Sequence, residues 1–104
     1  MEGISSQALM KSLSDDAKVI LGGYFGVLGK AGYSRITFGM KEVRPTARAQ
    51  AALDELVKAG AMIRNSLGGA AVEYVVQINC SDFGKWIARN KSKGKWSATE
   101  PITH

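Results

Sequence analysis

Apolar positions recur with a helical period in four stretches of the chain and with a strand period in one paired stretch. In residues 5–13, Ala8, Leu9 and Leu13 share one side of a short helix that Ser5 or Ser6 is placed to cap, with frayed leading residues. Ser14-Asp15-Asp16 then opens a second helix. The Ser14 side chain accepts from a free backbone N–H, and the two carboxylates suit the positive end of the dipole. Val19, Ile20, Tyr24, Val27 and Leu28 make its apolar face, and Lys30-Ala31-Gly32 a basic last turn and stop. Gly22, Gly23 and Gly26 interrupt it, which predicts either a close approach of another helix or a bend.

The clearest helix lies at residues 46–59. Thr46 is its N-cap, with Pro45 fixing the approach, and Ala49, Ala52, Leu53, Leu56 and Val57 form a single stripe ending at Gly60 in the C′ position. Between Arg35-Ile36-Thr37, a short strand, and Pro45, residues 38–43 leave room for little more than one helical turn with Thr37 as cap. After Gly60, residues 61–65 and 71–78 read as two strands of a hairpin. The tip is Ser66-Leu67-Gly68-Gly69. Ser81-Asp82 starts a final helix with Phe83, Trp86 and Ile87 on its apolar face, and beyond Asn90 the periodicity is lost in a polar, basic tail. The organisation expected is therefore one α+β domain over residues 1–90, with its core at 15–78 and a flexible tail at 91–104.

At 104 residues with 45% apolar and 22% charged content, the chain can form a core without disulfides or metal. The net charge of +5 points to a polyanionic partner. The excess lies wholly C-terminal to Tyr33, because residues 1–34 hold three basic and three acidic side chains. The single cysteine, Cys80, ends a strand and reads as a core filler; it gives no disulfide framework. No signal sequence or membrane span is legible, and the cytoplasm of a bacterial or viral host is the compartment expected.

Catalysis is not expected. His104 is the only histidine, Cys80 has no base in its pattern, and the pairs Asp15-Asp16 and Asp54-Glu55 diverge on a helix. Residues 26–30 resemble part of a phosphate loop but lack its spacing and the following Ser or Thr. No cofactor and no metal are implied.

The run Thr46-Ala-Arg-Ala-Gln-Ala-Ala-Leu-Asp-Glu-Leu-Val-Lys-Ala-Gly-Ala-Met-Ile-Arg64 resembles the recognition helix and first wing strand of winged-helix regulators, and Tyr74-Val75-Val76 is similar to their returning strand. The resemblance spans about residues 15–78. It departs from the family pattern between Thr37 and Thr46, where the second helix and turn are a residue or two short. It implies a small winged helix-turn-helix domain that binds double-stranded DNA in sequence-specific fashion as a homodimer, serving as a transcriptional or phage or plasmid regulator.

On that reading, Thr46, Ala47, Arg48, Gln50 and Ala51 face base edges, and Arg44 and the helix start meet a phosphate. Arg64, Asn65 and Ser66 of the wing reach a flanking phosphate or the minor groove, and Lys85, Arg89, Lys91, Lys93 and Lys95 add backbone contacts. Asp54-Glu55 would oppose phosphate unless it points away. The first helix or the Phe83-Trp86-Ile87 face would carry the dimer contact. The rival reading is a winged-helix adaptor or phage-type inhibitor that binds a protein partner through Trp86 or Trp96.

Overall fold

The computed structural model describes residues 6–25, 35–39 and 43–101. Helices α1 (Ser6–Ser12) and α2 (Asp15–Ile20) come first, and a π-helical segment, Leu21–Phe25, continues α2. Strands β1 (Arg35–Phe38) and β2 (Val43–Pro45) lead into helix α3 (Ala47–Lys58). The hairpin β3 (Met62–Gly68) and β4 (Ala71–Val76) follows, then helix α4 (Ser81–Arg89), a 3₁₀ turn at Lys91–Gly94 and strand β5 (Thr99–Pro101). The strands form a three-stranded antiparallel sheet in the order β1-β4-β3 and a separate two-stranded ribbon, β2-β5.

Local chemistry sets the two best-defined helix starts. The Ser14 hydroxyl accepts from Ala17 N at 3.2 Å, and the Thr46 hydroxyl from Ala49 N at 3.2 Å. Gly60 follows α3 at φ 82°, a backbone region costly for any side chain, and its N–H and that of Ala61 return to the Val57 and Leu56 carbonyls. The stripe read from the sequence is the buried face of α3: Ala49, Ala52, Leu53 and Leu56 are enclosed. Strand register completes the core. Ile36 lies opposite Tyr74 and Phe38 opposite Val72, with Tyr74 fully buried and edge-on to Phe38 at 6.0 Å between ring centres. Arg64 is also opposite Tyr74, so Arg64 and Ser66 share the sheet face that carries α3, whereas Ile63 and Asn65 alternate to the outer face.

Helix α4 packs on the segment that continues α2, and Gly22 makes this possible. A Cβ there would lie 2.4 Å from the Phe83 carbonyl oxygen. Of the two explanations that the glycines allowed, close approach is the one realised at Gly22. Phe83 is fully buried, and Trp86 and Ile87 are half-buried beside it. The Lys18 ammonium stands 4.6 Å above the Trp86 ring.

Three expectations are corrected. The helical turn at residues 38–43 is not formed at either end: Phe38 belongs to β1 and Val43 to β2, with residues 40–42 outside those described. Gly39 N donates to the Val43 carbonyl at 3.0 Å, a span too short for a second helix before α3. The tail expected to be flexible from residue 91 instead forms the 3₁₀ turn and β5, and Trp96 and Ala98 pack against the core. The first hairpin strand runs on to Gly68 through an irregularity between Ser66 and Gly68. The later turns of the second sequence helix, with Val27, Leu28 and Lys30, lie outside the described residues. Among the described residues no helix is long and apolar enough to cross a membrane.

Candidate nucleic-acid interface

The residues expected at the start of α3 come together, but the polar ones among them already have partners within the chain. Thr46 is the hub. Its hydroxyl donates to the Ser97 carbonyl at 2.9 Å and its N–H to the Ala98 carbonyl at 3.0 Å. Arg44, one residue before Pro45 in β2, is opposite Glu100 in β5 and donates to its carboxylate at 3.2 Å. Arg48 makes a two-pronged pair with Asp16, Nε to Oδ2 at 2.8 Å and Nη2 to Oδ1 at 2.9 Å. Its guanidinium also stacks over the Trp96 ring at 4.6 Å, and the hydrogen-bonded Asp16 carboxylate raises its pKa further.

Gln50 is turned inward. Its amide nitrogen donates to Asp54 Oδ1 at 2.9 Å and to the hydroxyl of buried Tyr74 at 3.0 Å. That Tyr74 hydroxyl would otherwise be a desolvated polar group in the core. Of the residues placed on a base-reading face, Ala47 and Ala51 are exposed without a polar engagement. The segment 95–101 therefore lies across the start of α3, where the sequence reading left it open.

The acidic pair resolves differently at its two members. Glu55 points to α2, accepting from Ser14 N at 2.8 Å and from the Ser14 hydroxyl at 2.6 Å, while Asp54 stays exposed beside Gln50. Asp15 takes Lys93 at 2.8 Å and Lys18 at 3.3 Å. Its carboxyl is held below the ordinary value of 3.8, chiefly by the Lys93 hydrogen bond. Glu73 takes Arg35 and Asn65, each at 3.4 Å.

The remaining site residues lie in two places. Arg64 and Ser66 are exposed on the hairpin, and Arg64 has no acidic partner among the described residues. Lys85 and Arg89, one turn apart on α4, border an open cleft of about 320 Å³ against α1 that is also lined by Gln7, Met10 and Asp82. Cys80 is buried, and desolvation pushes its thiol up to about 11.

Sequence reasoning missed Asp16, Ser97 and Glu100 as partners of the α3 start. Each lies more than thirty positions from its contact, and no spacing rule links them. Trp96 carried a signal, as a lone aromatic among lysines. Comparison of the chain with protein-family models, with curated proteins and with solved structures finds no match.

Proposed function

We propose that this chain is a winged-helix domain lacking the middle helix, and that it binds double-stranded nucleic acid through the exposed side of α3 and the β3–β4 hairpin. The order α3, β3, β4, with β1 completing the sheet beside β4, is the order of that fold. One observation carries the functional reading. Every described carboxylate is engaged within the chain, while exposed Lys58 at the end of α3 and Arg64 on the hairpin have no acidic partner among the described residues. Both cations are open to solvent, where phosphates would be met.

The contacts proposed are to the phosphate backbone. Lys58 and Arg64 would anchor the duplex, with Ser66 beside Arg64 on the same sheet face, and Ala47 and Ala51 would allow close approach of α3. Titration of a labelled random duplex with the wild type, Lys58→Ala and Arg64→Ala tests this, as salt rises from about 50 to about 200 mM. Each substitution is expected to weaken binding and to reduce the salt slope by about one. Binding that ignores both substitutions and salt would refute the reading.

A second reading rests on a different observation. Ile63 on the outer sheet face and Leu67 at the hairpin irregularity are large apolar side chains, each 48% exposed. A protein partner covering them would make the domain an adaptor, and its binding would be insensitive to salt.

A further inference from the structure

We infer that residues 95–101 form an autoinhibitory strap, which occupies the start of α3 with oxygen atoms in the positions that nucleic-acid phosphates would take. The inference rests on the nucleic-acid reading above and adds regulation to it. Three donors at this place match those that a helix-based DNA reader turns to the backbone: the Arg44 guanidinium, the Thr46 hydroxyl and the Thr46 N–H. In the structure all three are satisfied by one short segment, through the Glu100 carboxylate at 3.2 Å and the carbonyls of Ser97 at 2.9 Å and Ala98 at 3.0 Å. Trp96 adds a stacking contact at 4.6 Å with the Arg48 guanidinium, whose hydrogen bonds go to Asp16.

The strap is built to leave. Its ribbon with β2 is three residue pairs long, with no third strand among the described residues. Its ion pair is open to water, Arg44 at 55% and Glu100 at 42% exposed, so competing phosphate and salt reach it readily. Trp96 and Ala98 pack partly buried against the core, and the Trp96 indole N–H donates to the Lys93 carbonyl at 2.9 Å. The 3₁₀ turn before it is tied to α2 through Lys93 and Asp15, so residues 97–101 can part from α3 while the turn stays in place. Nucleic acid and strap thus compete for one set of donors. The apparent affinity is set by the fraction of molecules in which the strap is open.

A reversible lock on the full chain tests this. Val43 and Pro101 are antiparallel partners, a spacing that a disulfide spans. The variant Val43→Cys/Pro101→Cys, with buried Cys80→Ala, holds the strap shut when oxidised and frees it when reduced. Duplex binding is measured in both states of the same protein, alongside Trp96→Ala, with circular dichroism confirming the fold. The oxidised form is expected to bind on the order of tenfold more weakly than the reduced form. Trp96→Ala is expected to bind more tightly than the wild type. Equal affinity in the oxidised and reduced forms, with the wild type binding duplex, would overturn the strap and leave the nucleic-acid reading standing. No binding by the wild type or by either state, even at low salt, would overturn both.

Discussion

The contact of α4 with the continuation of α2 can be tested by two adjacent alanine substitutions with opposite expected signs. An ideal Cβ at Gly22 lies 2.4 Å from the Phe83 carbonyl oxygen, 2.8 Å from its carbon and 3.1 Å from Ile87 Cγ2. Contacts under 3.0 Å do not occur, so the two segments must part by at least 0.6 Å, the difference between 3.0 and 2.4 Å. The obstacle is backbone inside a helix and cannot be relieved by a rotamer change. Such overpacking costs about 1–3 kcal/mol. The better helix propensity of alanine returns at most about 1 kcal/mol. At Gly23 nothing lies within 4 Å of the same Cβ, so only the favourable contribution remains. Gly22→Ala should therefore be destabilised, by about 2 kcal/mol at the upper end once the propensity gain is subtracted in full, and Gly23→Ala stabilised by up to about 1 kcal/mol. For a domain of this size the melting temperature moves by about 4–8 °C per kcal/mol. Thermal melts followed by circular dichroism, with urea titrations to show an unchanged m-value, give the ordering. A Gly22→Ala protein as stable as Gly23→Ala would show that the helices do not approach at this glycine.

Two further outcomes follow from the titrating groups. Because the folded-state pKa of Asp15 is depressed by Lys93 and Lys18, its contribution is complete above the ordinary carboxyl range and is lost as pH falls through the folded value. Asp15→Asn should accordingly be less stable near neutrality and flatten the loss of stability from about pH 5 to about pH 2, measured by urea midpoints; an unchanged acid limb would count against the Lys93 contact. The buried Cys80 thiol, pushed up to about 11, should react slowly with a thiol reagent in the native state and at the rate of a free cysteine once unfolded. Rapid native labelling would place it at the surface.

Helix α3 was legible in the sequence because its determinants are local. Thr46 caps three residues away, the stripe from Ala49 to Leu56 repeats with the helical period, and Gly60 takes the conformation that few other residues tolerate. The hairpin was legible for a similar reason, its glycines marking the turn between two β-rich runs. Residues 38–43 misled because six residues ending before a proline satisfy a helical turn and a strand crossover equally well. What decided between them was the pairing of β2 with β5, more than fifty positions on.

The candidate site shows the same division. Its residue types and helix were readable, but the facing of Arg48 and Gln50 was not. A guanidinium that looks solvated on a helical wheel turns to Asp16 and Trp96, and an amide turns inward to satisfy the hydroxyl of Tyr74. These facings are set by which groups would otherwise be left unpaired at long range.

Residues 14–16, 46–55 and 93–98 meet at one junction: Ser14 with Glu55, Arg48 with Asp16 and Trp96, Asp15 with Lys93, Thr46 with Ser97 and Ala98. The first two stretches precede the third along the chain, so the contacts that Lys93, Trp96, Ser97 and Ala98 make at this junction are the last to be supplied as the chain is synthesised.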